Sequence, residues 1–100
     1  MKYTIVFSQL ASDDLTEILG WYKSQDAQLS SRYITEMSTV LRRMEDFPEI
    51  FPFEYLHVRK AILRKFPYKV LYFVEHNTAE VHIIAVVHQS RHPDFWKKRI

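Results

Sequence analysis

The sequence predicts an α+β fold in which a helix hairpin packs on an antiparallel sheet, in the order β-α-α-β-β-β. Three observations lead there. Two successive stretches before residue 48 repeat apolar residues at steps of three and four. After Pro52 the period shortens to strict alternation, the pattern of strands. The turns between these stretches are too short for crossover connections, so neighbouring elements run antiparallel.

Each element follows from its residues. Lys2–Phe7 is short, β-branched and aromatic, and reads as a strand. Ser8 is a suitable N-cap for a helix whose apolar face is Ala11, Leu15, Ile18, Leu19 and Tyr22, ending near Ser24. Asp13, Asp14 and Glu17 fall early in it, where negative charge complements the helix dipole. Asp26 caps a second helix with the stripe Leu29, Tyr33, Met37, Val40, Leu41, Met44 and Phe47, stopped by Pro48 and Pro52. A coiled coil would use the same stripe, but about three heptads favour core packing of a hairpin. Tyr55–Phe66, Tyr68–Glu75 and Glu80–His88 read as three strands of a meander, with His76-Asn77-Thr78 as a turn. The last two carry apolar residues on both faces, and a helix hairpin covers only one. The other face needs the tail, a partner, or exposure to solvent. Which face the helices take stays open, because both parities are apolar. Pro93 is placed to start a helical turn in a basic, aromatic tail, Gln89–Ile100.

Composition narrows the classes. At 100 residues, 47% hydrophobic and 26% charged, the chain reads as one domain spanning 1–100. The absence of cysteine removes disulfides and thiolate chemistry and suits the cytoplasm. The N-terminus does not read as a signal peptide, and no run reaches the roughly 20 apolar residues of a membrane span. Gly20 is the sole glycine, which excludes P-loops, dinucleotide-binding turns and the strained Gly-x-Ser-x-Gly elbow of Ser-His-Asp hydrolases. Charge is unevenly placed. Residues 1–54 hold five Lys/Arg against nine Asp/Glu, and residues 55–100 hold nine against three. Such asymmetry suits an anionic partner for the second half, or simple attraction between the halves.

Candidate chemistry clusters in that second half. Arg59-Lys60 and Arg64-Lys65 are adjacent pairs, so on a strand each pair serves both faces, where cations suit a phosphate backbone or protect a sheet edge. His88, Arg91, His92 and Trp96 lie where the last strand meets the tail. Histidine moves protons near neutral pH, arginine stabilises charge on phosphate, and an aromatic ring stacks on a base. These are parts of a metal-free ribonuclease. The plainer reading makes His88 a strand-end residue and Trp96 a core plug. A metal site from His82, His88 and His92 lacks the HExxH pattern and any cysteine, so neither a metal nor a cofactor is expected. The acidic helix hairpin argues against a helix entering a DNA groove.

The run Val58–Val74, the ending Ile84–Trp96 with its His88-Gln89-Ser90-Arg91-His92-Pro93, Phe7-Ser8, Trp21-Tyr22 and the exit Phe47-Pro48-Glu49 together resemble the RelE/ParE toxin superfamily. The resemblance spans essentially the whole chain. It implies a toxin of a type II toxin–antitoxin pair of the plasmid-stabilisation type, which arrests growth and is neutralised by a cognate antitoxin, with a possible hetero-oligomer. It also implies one of two targets. RelE-like members cut mRNA on the ribosome, and ParE-like members act on DNA gyrase. Lys60, Lys69, His88, Arg91 and His92 are the catalytic set of the first reading. Arg59, Arg64, Lys65, Trp96, Lys97, Lys98 and Arg99 are the target-binding set. Gln89 stands where the RelE-like pattern has an arginine, and Phe95-Trp96 where it has a tyrosine. That departure counts against the nuclease chemistry. A degenerate relative that only binds antitoxin is the third reading.

Overall fold

The computed structural model describes residues 2–100. Within them the order is β1 (Thr4–Phe7), α1 (Gln9–Gln25), α2 (Ala27–Asp46), β2 (Phe53–Tyr55), β3 (Val58–Ile62), β4 (Tyr68–Glu75), β5 (Glu80–His88) and a final turn of helix, α3 (Asp94–Lys97). The strands form one sheet in the order β1-β5-β4-β3-β2. The meander β3-β4-β5 is antiparallel as the alternation requires, and β1 returns parallel to β5.

Both predicted caps form. The Ser8 hydroxyl accepts from the Ala11 N–H at 3.1 Å, and the Asp26 carboxylate accepts from the Gln28 N–H at 2.9 Å. Asp26 also ends α1, its N–H reaching the Tyr22 carbonyl, which folds the two helices back on each other across one residue. Their stripes bury Ala11, Ile18 and Tyr22 from α1 and Tyr33, Met37, Val40 and Met44 from α2. Phe47 is the exception among the predicted stripe, exposed because the helix ends at Asp46 and the chain turns away. Tyr22, Tyr33, Phe66 and Tyr68 meet edge to face between the hairpin and the sheet, with ring centres 4.9–6.2 Å apart where the edges contact. Burial pushes the Tyr33 hydroxyl well above the ordinary tyrosine range.

Two strand readings need correction. The stretch Tyr55–Phe66 is not one strand. It breaks at Leu56, whose φ of 52° is left-handed, and the chain hairpins so that Phe53–Tyr55 pairs back on Val58 and Arg59. Leu63–Pro67 then leaves the sheet, so Arg64 and Lys65 sit in a turn and not on a strand. The simple alternation of the last strand also fails. Tyr72 pairs with Ile83 but Leu71 with Ala85, so Ile84 is an extra residue, a β-bulge that reverses the facing of all that follows.

The bulge sorts the residues between two cores. Val70, Tyr72, Val81, Ile83 and Val86 face the helices. Leu71, Ile84, Ala85 and Val87 face the other way, where Trp96 from α3 lies fully buried among them with Val58. The tail therefore covers much of the second apolar face.

Its fastening is electrostatic. β1 ends at Phe7, opposite Ile83, so the outer edge of β5 beyond that point has no strand beside it. Asp14 and Arg99 take the strand's place. The Asp14 carboxylate accepts from the Val86 N–H at 3.0 Å, and the Arg99 guanidinium donates to the Ile84 carbonyl at 3.0 Å. The two side chains close on each other through a bidentate pair at 2.6 and 3.2 Å, each only 12–13% exposed. Asp14 thus serves a tertiary role. It lies beyond the first turn of α1, where a carboxylate would complement the dipole.

Arg99→Ala strands a largely buried carboxylate and is expected to cost about 3 kcal/mol of stability. Trp96→Ala empties the second core and is expected to cost about 3–5 kcal/mol. Urea unfolding measures both. The double variant Asp14→Ala/Arg99→Ala should lose less than the two single losses combined, because the pair is coupled.

Candidate functional site

The sheet and tail distribute the sequence-predicted site residues over four separate places. The first is the tail-covered face. Lys60 on β3 and Lys69 on β4 share that face with Leu71 and Trp96, and both reach Glu54 of β2. Lys69 Nζ lies 2.9 Å and Lys60 Nζ 3.5 Å from the same Glu54 oxygen. Lys69 Nζ also stands 5.9 Å from the Trp96 ring, and Lys97 Nζ lies 4.2 Å above the Tyr55 ring. The hydrogen bond from Lys69, helped by the charge of both lysines, holds the Glu54 carboxyl below the usual range despite partial burial. Glu54 had no signal in the sequence, since the hairpin that brings β2 beside β3 depends on the break at Leu56. It ties down both lysines that a nuclease would use.

The second place lies across the sheet. His88 follows the bulge by four residues and therefore faces the helices, edge to face with Tyr68 at 5.2 Å. Its Nδ1 accepts the Ser90 N–H at 3.1 Å and lies 2.8 Å from the Ser90 hydroxyl. His88 and Arg91 line one groove with Glu17, Trp21, Tyr22 and Phe95, and the Arg91 guanidinium stacks 3.8 Å over the Phe95 ring. His92 stands apart, its side chain 78% exposed and 3.5 Å from Asp94. The bulge also separates His82 from His88. His82 stacks on Phe73 at 5.0 Å on the tail-covered side, so the two do not share a face as plain alternation suggests. Among the described residues no group of three His, Cys, Asp or Glu side chains is placed to hold a metal ion.

Arg59 occupies the third place, and its work is structural. Its guanidinium donates to the Glu49 and Phe51 carbonyls at 3.1 and 2.7 Å and lies 3.9 Å over the Phe53 ring. With the Tyr72 hydroxyl, which donates to the Pro48 carbonyl at 2.7 Å, it pins the segment leaving α2. Burial pushes the Tyr72 hydroxyl up to about 12 against the opposing charge of Arg59. Arg99 is likewise structural, through Asp14, while Lys98 is exposed. The fourth place holds Arg64 and Lys65, whose turn is fastened to α2. The Glu36 carboxylate accepts the Lys65 backbone N–H through both oxygens, at 3.1 and 3.2 Å.

The architecture is a helix hairpin on a mostly antiparallel sheet, with a tail folded over the far face and cations spread around it. Residues 5–93 match the family described as ParE toxin of type II toxin-antitoxin system, parDE. The chain belongs to that family. Two solved structures share the fold. A chain of the chromosomal ParDE toxin–antitoxin system from P. aeruginosa superposes with a TM-score of 0.72 at 15% identity, over 87% of this chain and 96% of that one. A chain of the RelBE2 toxin–antitoxin complex from Mycobacterium tuberculosis gives 0.62 at 16% identity, over 88% and 99%. A comparison with curated protein sequences finds no match. Among the described residues no helix is long and apolar enough to cross a membrane.

The lowered Glu54 carboxyl makes stability depend on acid. The native state binds fewer protons than the unfolded chain while pH lies between the two values of this group. Its contribution is present above the ordinary carboxylate range and is lost as pH falls through the lowered native value. Glu54→Gln should remove that part of the acid limb. Urea midpoints of the two proteins are expected to converge as pH falls, and parallel curves would show that the contact contributes nothing.

Proposed function

We propose that this toxin arrests growth in the cytoplasm by binding DNA gyrase or a related replication target through protein–protein contact, and that a cognate antitoxin holds it inactive in a hetero-oligomer. One observation carries the choice of target. Cleaving RNA without a metal needs a base, a charge stabiliser and an acid within hydrogen-bond reach of one phosphate. Here Lys60 and Lys69 share Glu54 on the tail-covered side, whereas His88 and Arg91 line a groove on the helix side. His88 and the two lysines project from opposite faces of the sheet. Phe95 and Trp96, in the place of a tail tyrosine, supply no phenolic hydroxyl. The family match supports the same reading, as does the ParDE neighbour in fold. That both neighbours come from toxin–antitoxin systems supports the antitoxin as partner.

Pulse labelling after induced expression without antitoxin tests the choice. Thymidine incorporation is expected to fall before amino-acid incorporation, and His88→Ala and Lys69→Ala are expected to keep the arrest. Protein synthesis stopping first, with the arrest abolished by either variant, would instead establish the ribosome-dependent mRNA endonuclease. No arrest by soluble protein would leave only an antitoxin-binding module.

A further inference from the structure

The groove between α1, the end of β5 and the tail has a volume of about 540 Å³, the size of a pocket for a small organic ligand. Its floor is a row of rings. Trp21, Tyr22, Tyr68 and His88 follow one another with adjacent centres 5.1, 6.2 and 5.2 Å apart. Trp21 opens the row and is 57% exposed. Glu17 stands one helical turn before it on the same face of α1. Burial and, after it, the charge of Glu17 push the Tyr68 hydroxyl above the ordinary tyrosine range, which sets that carboxylate beside the row. Arg91 flanks the other end, stacked on Phe95. Neither Glu17 nor Arg91 forms an ion pair among the described residues. The second carboxylate of the groove, Asp14, is committed to Arg99 and the Val86 N–H. At His88 the Ser90 backbone N–H can only donate, so Nδ1 accepts and the neutral ring carries its hydrogen on Nε2. That leaves His88 a donor to share with Arg91.

We propose that this groove binds a guanine nucleotide, with the base on Trp21, its Watson–Crick edge on Glu17 and the phosphate on Arg91 and His88. Each part selects the ligand. An exposed indole offers a face for any base. A free carboxylate accepts only, and guanine is the base whose Watson–Crick edge presents two adjacent N–H donors. Adenine and cytosine set a ring acceptor beside their amino group, and uracil sets its one N–H between two carbonyls, so each would turn an acceptor toward Glu17. Arg91 and the Nε2–H of His88 suit a phosphate and disfavour a cationic ligand. An α-amino acid also carries both charges, but a single carbon separates them and it cannot span a row of four rings. The proposal stands apart from the choice of toxin target. It assigns no cleavage to the groove, since Lys60 and Lys69 project from the other face of the sheet.

The probe is guanosine monophosphate, added to the full chain and followed by the indole N–H signals in a proton–nitrogen spectrum. The chain has two tryptophans, Trp21 exposed and Trp96 buried. The Trp21 signal is expected to move, while that of Trp96 stays in place and reports that each variant is folded. Adenosine monophosphate should bind about tenfold more weakly. Glu17→Gln should weaken guanosine monophosphate about tenfold and erase most of that preference. Arg91→Ala should weaken it about tenfold and leave guanosine, which has no phosphate, unchanged. Arg64→Ala lowers the net charge equally in the turn after β3 and should change nothing. A still Trp21 signal, equal affinity for the two nucleotides, or indifference to Glu17→Gln overturns the proposal. So does a loss in Arg64→Ala equal to that in Arg91→Ala, which would reduce the effect to general attraction of an anion. A short guanine-containing RNA strand that binds more tightly than the mononucleotide, with the same dependence on Glu17 and Arg91, upholds the site and names a strand as the source of its ligand.

Discussion

A sheet with two apolar faces and a single helix hairpin is the constraint on which this structure depends. The hairpin satisfies one face. The other would expose Leu71, Ala85 and Val87 to water unless the chain supplies its own cover, and Trp96 is that cover. A short tail with one turn of helix cannot hold itself in place by local hydrogen bonds. The hold comes from Asp14 and Arg99, which bond to each other and to the uncovered edge of β5. One carboxylate on α1 thereby links the hairpin, the sheet and the tail. The β-bulge at Ile84 belongs to the same solution, since it turns Val86 toward the helices and Ala85 and Val87 toward the tail.

The cover decides what chemistry the fold can offer. With Trp96 seated, Lys69 is only 13% exposed and is engaged by Glu54, which also takes Lys60. His88 is sent to the opposite face by the bulge. A scaffold shared across a superfamily hosts different functions by such local changes. Here Arg32 and Arg43 of α2 and Arg64 and Lys65 of the turn after β3 are exposed and line one groove.

Much of this was legible from residues alone, and the failures have physical causes. The two helices, both caps, the hairpin and the meander follow from apolar spacing and from Ser8 and Asp26. So does the prediction that a second face needs cover. Alternation could not reveal the bulge, because both parities of β5 are apolar and one extra residue leaves the pattern unchanged. It therefore placed His82 and His88 together. The break at Leu56 was hidden because a leucine in left-handed backbone is no turn signal. Without it Arg64 and Lys65 read as strand residues, and Glu54 had no visible partner. Arg99 read as one of a basic tail's binding cations, since nothing nearby in sequence announces Asp14. Arg32 and Arg43 line a groove with Arg64 and Lys65 although they lie in the half whose balance is acidic. Net charge by segment says little about a groove assembled from two segments.

Amide hydrogen exchange at Val86 tests the central claim most directly. Its N–H has the Asp14 carboxylate in place of a strand, held there by Arg99. The account predicts that Val86 is protected in the native chain and that Arg99→Ala removes this protection, while Val81, beside β1, stays protected. Free exchange at Val86 in the native chain, or full protection in Arg99→Ala, would contradict it.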